Sequence, residues 1–206
     1  HVGAGYSFSL LGAQTARKGW SGLEFASGIP ATVGGAVFMN AGANGRETAD
    51  ALHSVDFMDA DGQLQTRFKE ELTFSYRHSS FQELPGAIIG ATFALSPCSE
   101  ARQKQLTIID YRKKTQPYGE KSAGCIFRNP TDGHAGSLIE KCGLKGMQWG
   151  GAQVSTLHGN FLLNSGGASC KEFIELVERV RTEIKSQTGV DLESEVRIIP
   201  YAEEER

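Results

Sequence analysis

The sequence predicts an α+β fold. Two observations carry that reading. Helix and strand signals are mixed without the regular βαβ alternation that builds a parallel sheet, and Asp61-Gly62 joins two short runs as an antiparallel hairpin turn. No internal repeat points to a solenoid. Taken in order, residues 7–18 read as a short helix with Leu10, Leu11 and Ala16 apolar and Gly19 placed to stop it. Residues 55–58 and 64–66 are the hairpin strands, and residues 87–95 read as a buried strand. Ser96-Pro97 marks a boundary, after which Ser99 caps a helix through Leu106, Ile109 and Tyr111 that Pro117 forbids from continuing. A loop around Cys125 follows, then a helix over 136–142 closed by Gly143, and strands over 148–155 and 161–164. The last helix opens on a capping box, Ser169 with Glu172, and lays Phe173, Val177, Val180 and Ile184 on one face before Gly189. Residues 195–199 read as a terminal strand, with Glu195 and Arg197 on one face and Val196 and Ile198 on the other. Two domains result, 1–97 and 98–206. The abrupt opening on His-Val-Gly-Ala-Gly, without an initiator methionine, reads as a fragment.

Five glycines fall within residues 28–45, roughly four times the ordinary frequency of about 7%. Ile29, Val33, Val37, Phe38 and Met39 lie between them, so the segment belongs to a core rather than a linker. Glycine is worth its ordering cost where φ is positive or where a Cβ would collide with a neighbour or ligand. A rigid glycine-lined wall suits a flat ring system, or a pyrophosphate held by main-chain N–H groups; a tightly packed turn between strands is the alternative.

Net charge is only −3, with acids and bases interspersed, so no basic stripe recommends nucleic acid as a partner. A small acidic ligand would need local cations. No apolar run of about 18 residues and no leader peptide occurs, which points away from a membrane and toward a soluble cytoplasmic protein, expected as a monomer. Cys98, Cys125, Cys142 and Cys170 form no C-x-x-C pair, and the five histidines lack i, i+4 spacing. Reduced thiols and no metal site are expected.

Four segments could carry chemistry. Arg77 sits among aromatics and hydroxyls in Phe74-Ser75-Tyr76-Arg77-His78-Ser79, where a guanidinium can clamp a carboxylate or phosphate, or simply stack on Tyr76. Lys113 and Lys114 lie at a helix C-terminus, which favours cations in any case. Cys125 stands in the small-residue loop Ser122-Ala123-Gly124-Cys125, presented to a cleft or buried and inert. An unperturbed thiol of pKa about 8.5 is mostly protonated near neutrality and can donate a proton. Glu195 and Arg197 complete the set.

These segments, in this order, resemble the UDP-N-acetylenolpyruvoylglucosamine reductase family of flavoenzymes. The resemblance runs from Gly3 to Ile199 through Gly22-Leu23-Glu24-Phe25-Ala26-Ser27-Gly28-Ile29-Pro30, Met39-Asn40-Ala41-Gly42, Tyr76-Arg77-His78-Ser79, Gln116-Pro117, Ser122-Ala123-Gly124-Cys125, Asn129-Pro130, Gly150-Gly151-Ala152-Gln153-Val154-Ser155 and Leu192-Glu193-Ser194-Glu195-Val196-Arg197. It implies the second lobe of an FAD-binding domain over 1–97 and a substrate-binding domain over 98–206, with the first FAD lobe missing and the shorter of the family's two forms. FAD and NADPH are the implied cofactors and UDP-N-acetylglucosamine enolpyruvate the implied substrate.

By position, Arg77 is implied to clamp developing negative charge, Glu195 to support it, and Cys125 to give the proton, where most relatives have a serine. Ser27, Gly28, Ile29, Pro30, Thr32, Val33, Gly34 and Gly35 match the flavin-facing segment, with Ala31 where glycine is usual. Asn129 and one of Lys113 or Lys114, Lys113 by its spacing to Cys125, are implied substrate or NADPH ligands. Gln153, Ser155, His158 and Asn160 match the pocket lining. Three rival readings remain at this point: another oxidase on the same flavin fold, a non-catalytic nucleotide-binding fragment, and a cysteine hydrolase pairing Cys125 with His134. The first lacks the Ser-Ala-Gly-Cys loop and the Glu-Val-Arg segment, and the last lacks an oxyanion motif.

Overall fold

A computed structural model describes residues 1–199. The chain forms two compact units, His1–Arg112 and Lys113–Arg206. The last seven residues of the expected 98–206 domain lie outside the described residues.

In the first unit, β1 (Val2–Gly3) leads into α1 (Phe8–Arg17), with Ser7 as its N-cap, accepting from Leu10 N at 3.3 Å. Phe8, Gly12 and Ala16 recur every four residues as the buried stripe of α1, while Leu10, one of the apolar residues of the expected helix, is exposed. Gly12 is where the helix meets the turn at Glu24–Ala26: a Cβ there would stand 2.5 Å from Leu23 O and 3.0 Å from the Ala26 Cβ. Gly12→Ala is therefore expected to destabilise the fold. Overpacking costs about 1–3 kcal/mol and outweighs a gain of up to ~1 kcal/mol in helix propensity. Calorimetry should register a fall of a few degrees in Tm.

The glycine-rich segment is a folded-back turn, a short α2 (Val33–Phe38) capped by Thr32, and a two-residue hairpin pairing Gly42–Ala43 with Arg46–Glu47. Asn44 and Gly45, at φ 55 and 73, supply the paired positive φ angles that hairpin requires. Then come β2 (Leu52–Asp59), β3 (Leu64–Phe68) and β4 (Gly86–Phe93), giving an antiparallel sheet in the order β1-β4-β2-β3. The Asp61-Gly62 turn forms as expected, tied by Asp59 Oδ1 accepting from Asp61 N at 3.0 Å and Gln63 N at 2.9 Å. One face of the sheet and both helices enclose a core of Phe8, Leu23, Val33, Val37, Val55 and Phe57 with smaller neighbours.

Ser96-Pro97 is not the boundary. It pairs with Trp20–Ser21, and Cys98 N donates to Gly19 O at 2.7 Å, which ties the segment to the first unit. The helix that follows, α3 (Ala101–Thr115), buries Ala101 and Gln105 and approaches the Ser27 carbonyl through Arg112, so the units divide at Arg112/Lys113. Ser99 is in the turn before this helix. The first helical bond, Lys104 N to Glu100 O at 3.0 Å, makes Glu100 the capping position instead.

The second unit contains β5 (Ser122–Cys125), α4 (Ala135–Lys141), β6 (Gln148–Trp149), β7 (Ala152–Val154), β8 (Phe161–Asn164) and α5 (Cys170–Thr188). Its antiparallel sheet runs β5-β8-β7-β6. The single strand expected over 148–155 is a hairpin. Gly150 turns at φ 55, and Gly151 packs where a Cβ would stand 2.6 Å from Ala168 N. The final helix matches its expectation: Ser169 and Glu172 form the capping box, Leu176, Val180 and Ile184 are buried, Phe173 and Val177 pack beside them, and Gly189 ends it at φ 75. Residues 195–199 do not form a strand. Their segment makes one bridge, Ser194 to Phe127, and then leaves the sheet with Ile198 and Ile199 exposed. Further pairing would need a straight edge on β5, which the bulge between Ser122 and Cys125 removes, with Gly124 at φ 86.

Candidate active site

A cavity of about 430 Å³ opens in the first unit, between the α2 segment and the sheet. Thr32, Gly34 and Gly35 line one side, with Phe38, Phe57 and Gly86 among the others. Of the eight residues expected to face a cofactor, these three line the cavity. Val33 puts its side chain into the hydrophobic core, and Ser27, Gly28, Ile29 and Pro30 lie outside the cavity lining.

The main-chain N–H groups that could have held a pyrophosphate are committed elsewhere. Gly28 N donates to Ser9 Oγ at 2.7 Å, Val33 N to Tyr6 O at 2.8 Å, Gly34 N to Ala4 O at 2.8 Å and Gly35 N to Thr32 Oγ1 at 3.1 Å. The glycines shape a surface rather than an anion cradle, because Ser9, Tyr6, Ala4 and Thr32 already take these donors. Ser27 Oγ is the exception, 99% buried and without a hydrogen-bond partner. Beside it, burial pushes the Glu24 carboxyl upward, but hydrogen bonds from Ser21, Gly22 N and its own main chain, with the charge of Lys104, outweigh that and hold it below the usual carboxylate range.

Arg77 occupies a left-handed backbone position, φ 55, in the two-residue turn joining Phe74–Ser75 to His78–Ser79. Its guanidinium lies over the Tyr76 ring, 4.8 Å from the centroid, as the simple stacking alternative expected. The turn is braced from behind, however. Gln82 Nε2 donates to Arg77 O at 3.1 Å and to Phe38 O at 2.9 Å, and Ser79 Oγ donates to Phe38 O at 2.7 Å. Asn40, fully buried, donates to Ser75 O at 3.0 Å and accepts from Ala49 N at 3.1 Å. Phe38 lines the cavity, so the brace fixes Arg77's turn to the cavity wall. Gln82 carries no sequence signal that singles it out; Asn40 stood within a recognisable stretch but without an assigned role.

In the second unit, alternation along the sheet sorts the residues. Ala152, Val154 and Leu162 enter the core, whereas Gln153 pairs with Leu163, Leu163 with Ser122, and Phe161 with Cys125 on the opposite face. Cys125 and Gln153 therefore share the face that is not core. Glu195 comes to the same strand through the main chain: Glu195 N donates to Ile126 O at 2.7 Å and Arg128 N to Glu193 O at 2.9 Å. The sheet thus carries a thiol and a carboxylate on adjoining segments.

Lys113 and Lys114 are both exposed at the end of α3, and Asn129 is exposed with its Oδ1 accepting from Ala135 N at 3.1 Å. Gln153 is held by Ser165 Oγ at 3.3 Å, and buried Ser155 accepts from Leu157 N and His158 N. Asn160, expected to line the pocket, is 2% exposed and gives its side-chain amide to the Phe127 main chain. His158 Nδ1 accepts from Asn160 N at 3.2 Å and its ring meets Phe161 edge-on at 4.9 Å.

Burial pushes the His158 imidazole below its ordinary pKa, aided by Lys145 and opposed by its main-chain hydrogen bond and Glu140. The unfolded chain then binds the proton first as pH falls, so stability is full above about pH 6.5 and declines below it. Thermal unfolding of the wild type between pH 7.5 and 5.5 is expected to show this slope, and His158→Gln to flatten it. Equal slopes would remove His158 as the cause.

Among the described residues no helix is long and apolar enough to cross a membrane, and no group of three or more His, Cys, Asp or Glu could hold a metal. None of the four cysteines is in a disulfide. Known families match both units. Residues 116–199 match the C-terminal domain of UDP-N-acetylenolpyruvoylglucosamine reductase, and residues 1–67 match an FAD binding domain. A reductase of that name from Protochlamydia amoebophila is 63% identical over 201 residues, covering 98% of this chain and 67% of the relative.

The chain belongs to the UDP-N-acetylenolpyruvoylglucosamine reductase family. The Chlamydia muridarum reductase is 52% identical over 96% of the chain and 67% of its own length. A crystal structure of the Thermus caldophilus reductase superposes with a TM-score of 0.84 at 42% identity, covering 96% of this chain and 71% of that one. The chain thus spans about two thirds of the length of the relatives it matches. Membership makes it part of an FAD-dependent oxidoreductase and agrees with the α+β class. The cavity fits a ring system of that cofactor: glycines 34 and 35 keep one wall flat, and Phe38, Phe57 and Phe81 make the rest of the lining apolar. Its engaged N–H groups do not fit the cofactor's pyrophosphate.

Proposed function

We propose that this chain carries the site that reduces UDP-N-acetylglucosamine enolpyruvate to UDP-N-acetylmuramate with NADPH, a step of peptidoglycan precursor synthesis, as a monomer in the cytoplasm. The observation that carries the reading is the main-chain seam of the second unit, where Glu195 N bonds Ile126 O beside Cys125. FAD, when bound, supplies a reversible hydride carrier between nucleotide and substrate. Thr32, Gly34 and Gly35 would contact its ring system.

In the net reaction NADPH loses a hydride, which bonds to the β-carbon of the enol ether, and the α-carbon gains a proton. Reduction at the β-carbon pushes charge onto the substrate carboxylate, and the guanidinium of Arg77 is the group of this chain suited to hold it. Cys125 Sγ–H gives its proton to the α-carbon, and the resulting thiolate is reprotonated from solvent. Glu195 supports the same centre by hydrogen bonding. Lys113 and Asn129 would take the phosphates of substrate or nucleotide, and Gln153 and His158 the sugar portion.

The test is anaerobic mixing of the FAD-loaded full-length protein with NADPH and then with UDP-N-acetylglucosamine enolpyruvate. Bleaching of the yellow absorbance by the first and its return with the second is expected. Bleaching without return overturns the substrate assignment.

A further inference from the structure

Asn160 lies at the foot of β8, one residue before the strand begins at Phe161. Its main-chain carbonyl accepts from Ile126 N at 3.0 Å. Its side-chain Oδ1 accepts from Phe127 N at 2.9 Å, and its Nδ2 donates to Phe127 O at 2.8 Å. On the other edge of the same segment, Ile126 O accepts from Glu195 N and Arg128 N donates to Glu193 O, flanking the Phe127–Ser194 bridge.

The geometry explains why an amide is needed. In an antiparallel ladder one residue's N–H and C=O face the same edge, and the next residue's face the opposite one. At Ile126 that alternation breaks, its N–H turning to Asn160 O while its carbonyl meets Glu195 N; with the Arg128 N–H also used toward Glu193, Phe127's own pair faces back toward β8, just where β8 ends. A carboxamide has the same donor and acceptor as a peptide group. The Asn160 side chain serves as the missing strand residue, buried and fully engaged with Phe127.

We propose that Asn160 is a positioning residue for the reduction: its side chain grips the main chain between Cys125 and the Glu195 segment and so sets the thiol against the carboxylate. This rests on the proposed roles of Cys125 and Glu195. It differs from the expectation that Asn160 is a substrate ligand, and the two make opposite kinetic predictions.

The experiment compares Asn160→Ala and Asn160→Asp with the wild-type holoenzyme. For Asn160→Ala a fall in kcat of about 10²-fold is expected, the scale of an ångström-sized misplacement of a catalytic group. KM for UDP-N-acetylglucosamine enolpyruvate and the rate of bleaching by NADPH should be unchanged. Hydrogen exchange in protein without substrate should quicken at the Phe127 and Glu195 amides. Asn160→Asp should recover turnover relative to wild type as pH is lowered, because a protonated carboxyl regains a donor for Phe127 O; this variant decides the matter if the alanine protein does not fold.

A raised KM with kcat intact would make Asn160 a ligand and overturn the proposal. Lowered Tm with unchanged kcat and unchanged amide exchange would overturn it as well. Cys125→Ala separates the two levels: normal turnover in that variant defeats the site reading, whereas the exchange data still judge the grip of Asn160.

Discussion

Cys125→Ala is expected to lower kcat by about 10²–10⁴-fold, the range a positioned general acid contributes, while NADPH still bleaches the bound flavin at the wild-type rate. The asymmetry follows from the chemistry: only the step that protonates the α-carbon needs Sγ–H. Cys125→Ser should retain most of the turnover, since a hydroxyl can make the same donation. Rapid mixing of each half-reaction, run separately, measures both arms. Loss of both half-reactions in Cys125→Ala would mean a structural role, and loss of neither would remove the thiol from the mechanism. Cys125 pairs with Phe161 on the face of the sheet opposite Leu162 and the core.

Arg77→Ala is expected to cost about 10²–10³-fold in kcat, the loss found when one donor to a developing oxyanion is removed. Arg77→Lys should not restore it, because a point charge does not reproduce the planar two-pronged fork that matches a carboxylate. The backbone supplies an internal control. Arg77 sits at φ 55, where a side chain costs about 1–2 kcal/mol and glycine does not. Arg77→Gly should therefore lose as much turnover as Arg77→Ala while unfolding at a higher temperature than that variant. Steady-state kinetics and calorimetry on the three proteins test this together. A glycine variant that retains turnover would show that the strained position does not serve the guanidinium.

Features encoded by local chemistry were readable from the chain. The Ser169–Glu172 capping box, the Gly189 stop and the Asp61-Gly62 turn each rest on neighbours a few residues apart, and each appears in the fold. What sequence reasoning missed depends on contacts between distant residues. The boundary at Ser96-Pro97 fails because that dipeptide pairs with Trp20–Ser21. The terminal strand fails because Gly124 bulges the edge it would have used.

The site divides in the same way. Arg77, Cys125 and Glu195 stood out by residue type, and the family resemblance, by position, gave each its expected role. The groups that hold Arg77's turn leave no periodic trace: Asn40 reaches Ser75 O, 35 residues away, and Gln82 ties Arg77 O to Phe38 O, 44 residues from itself. The glycine cluster carried two meanings, a flat wall and an anion cradle. Only the partners of its N–H groups, such as Ser9 and Tyr6, separate them, and those lie outside the segment.

The alternation that turns Cys125 away from Leu162 also bears on how this position drifts over generations. Exchange of sulfur for oxygen there swaps one small proton donor for another without opening a hole beneath the sheet, so folding exerts little selection between them. Oxidants do discriminate, since a thiol can be carried to sulfenic and then irreversible acids whereas a hydroxyl is inert to them. At this position, then, exposure to oxidants rather than packing distinguishes the two atoms.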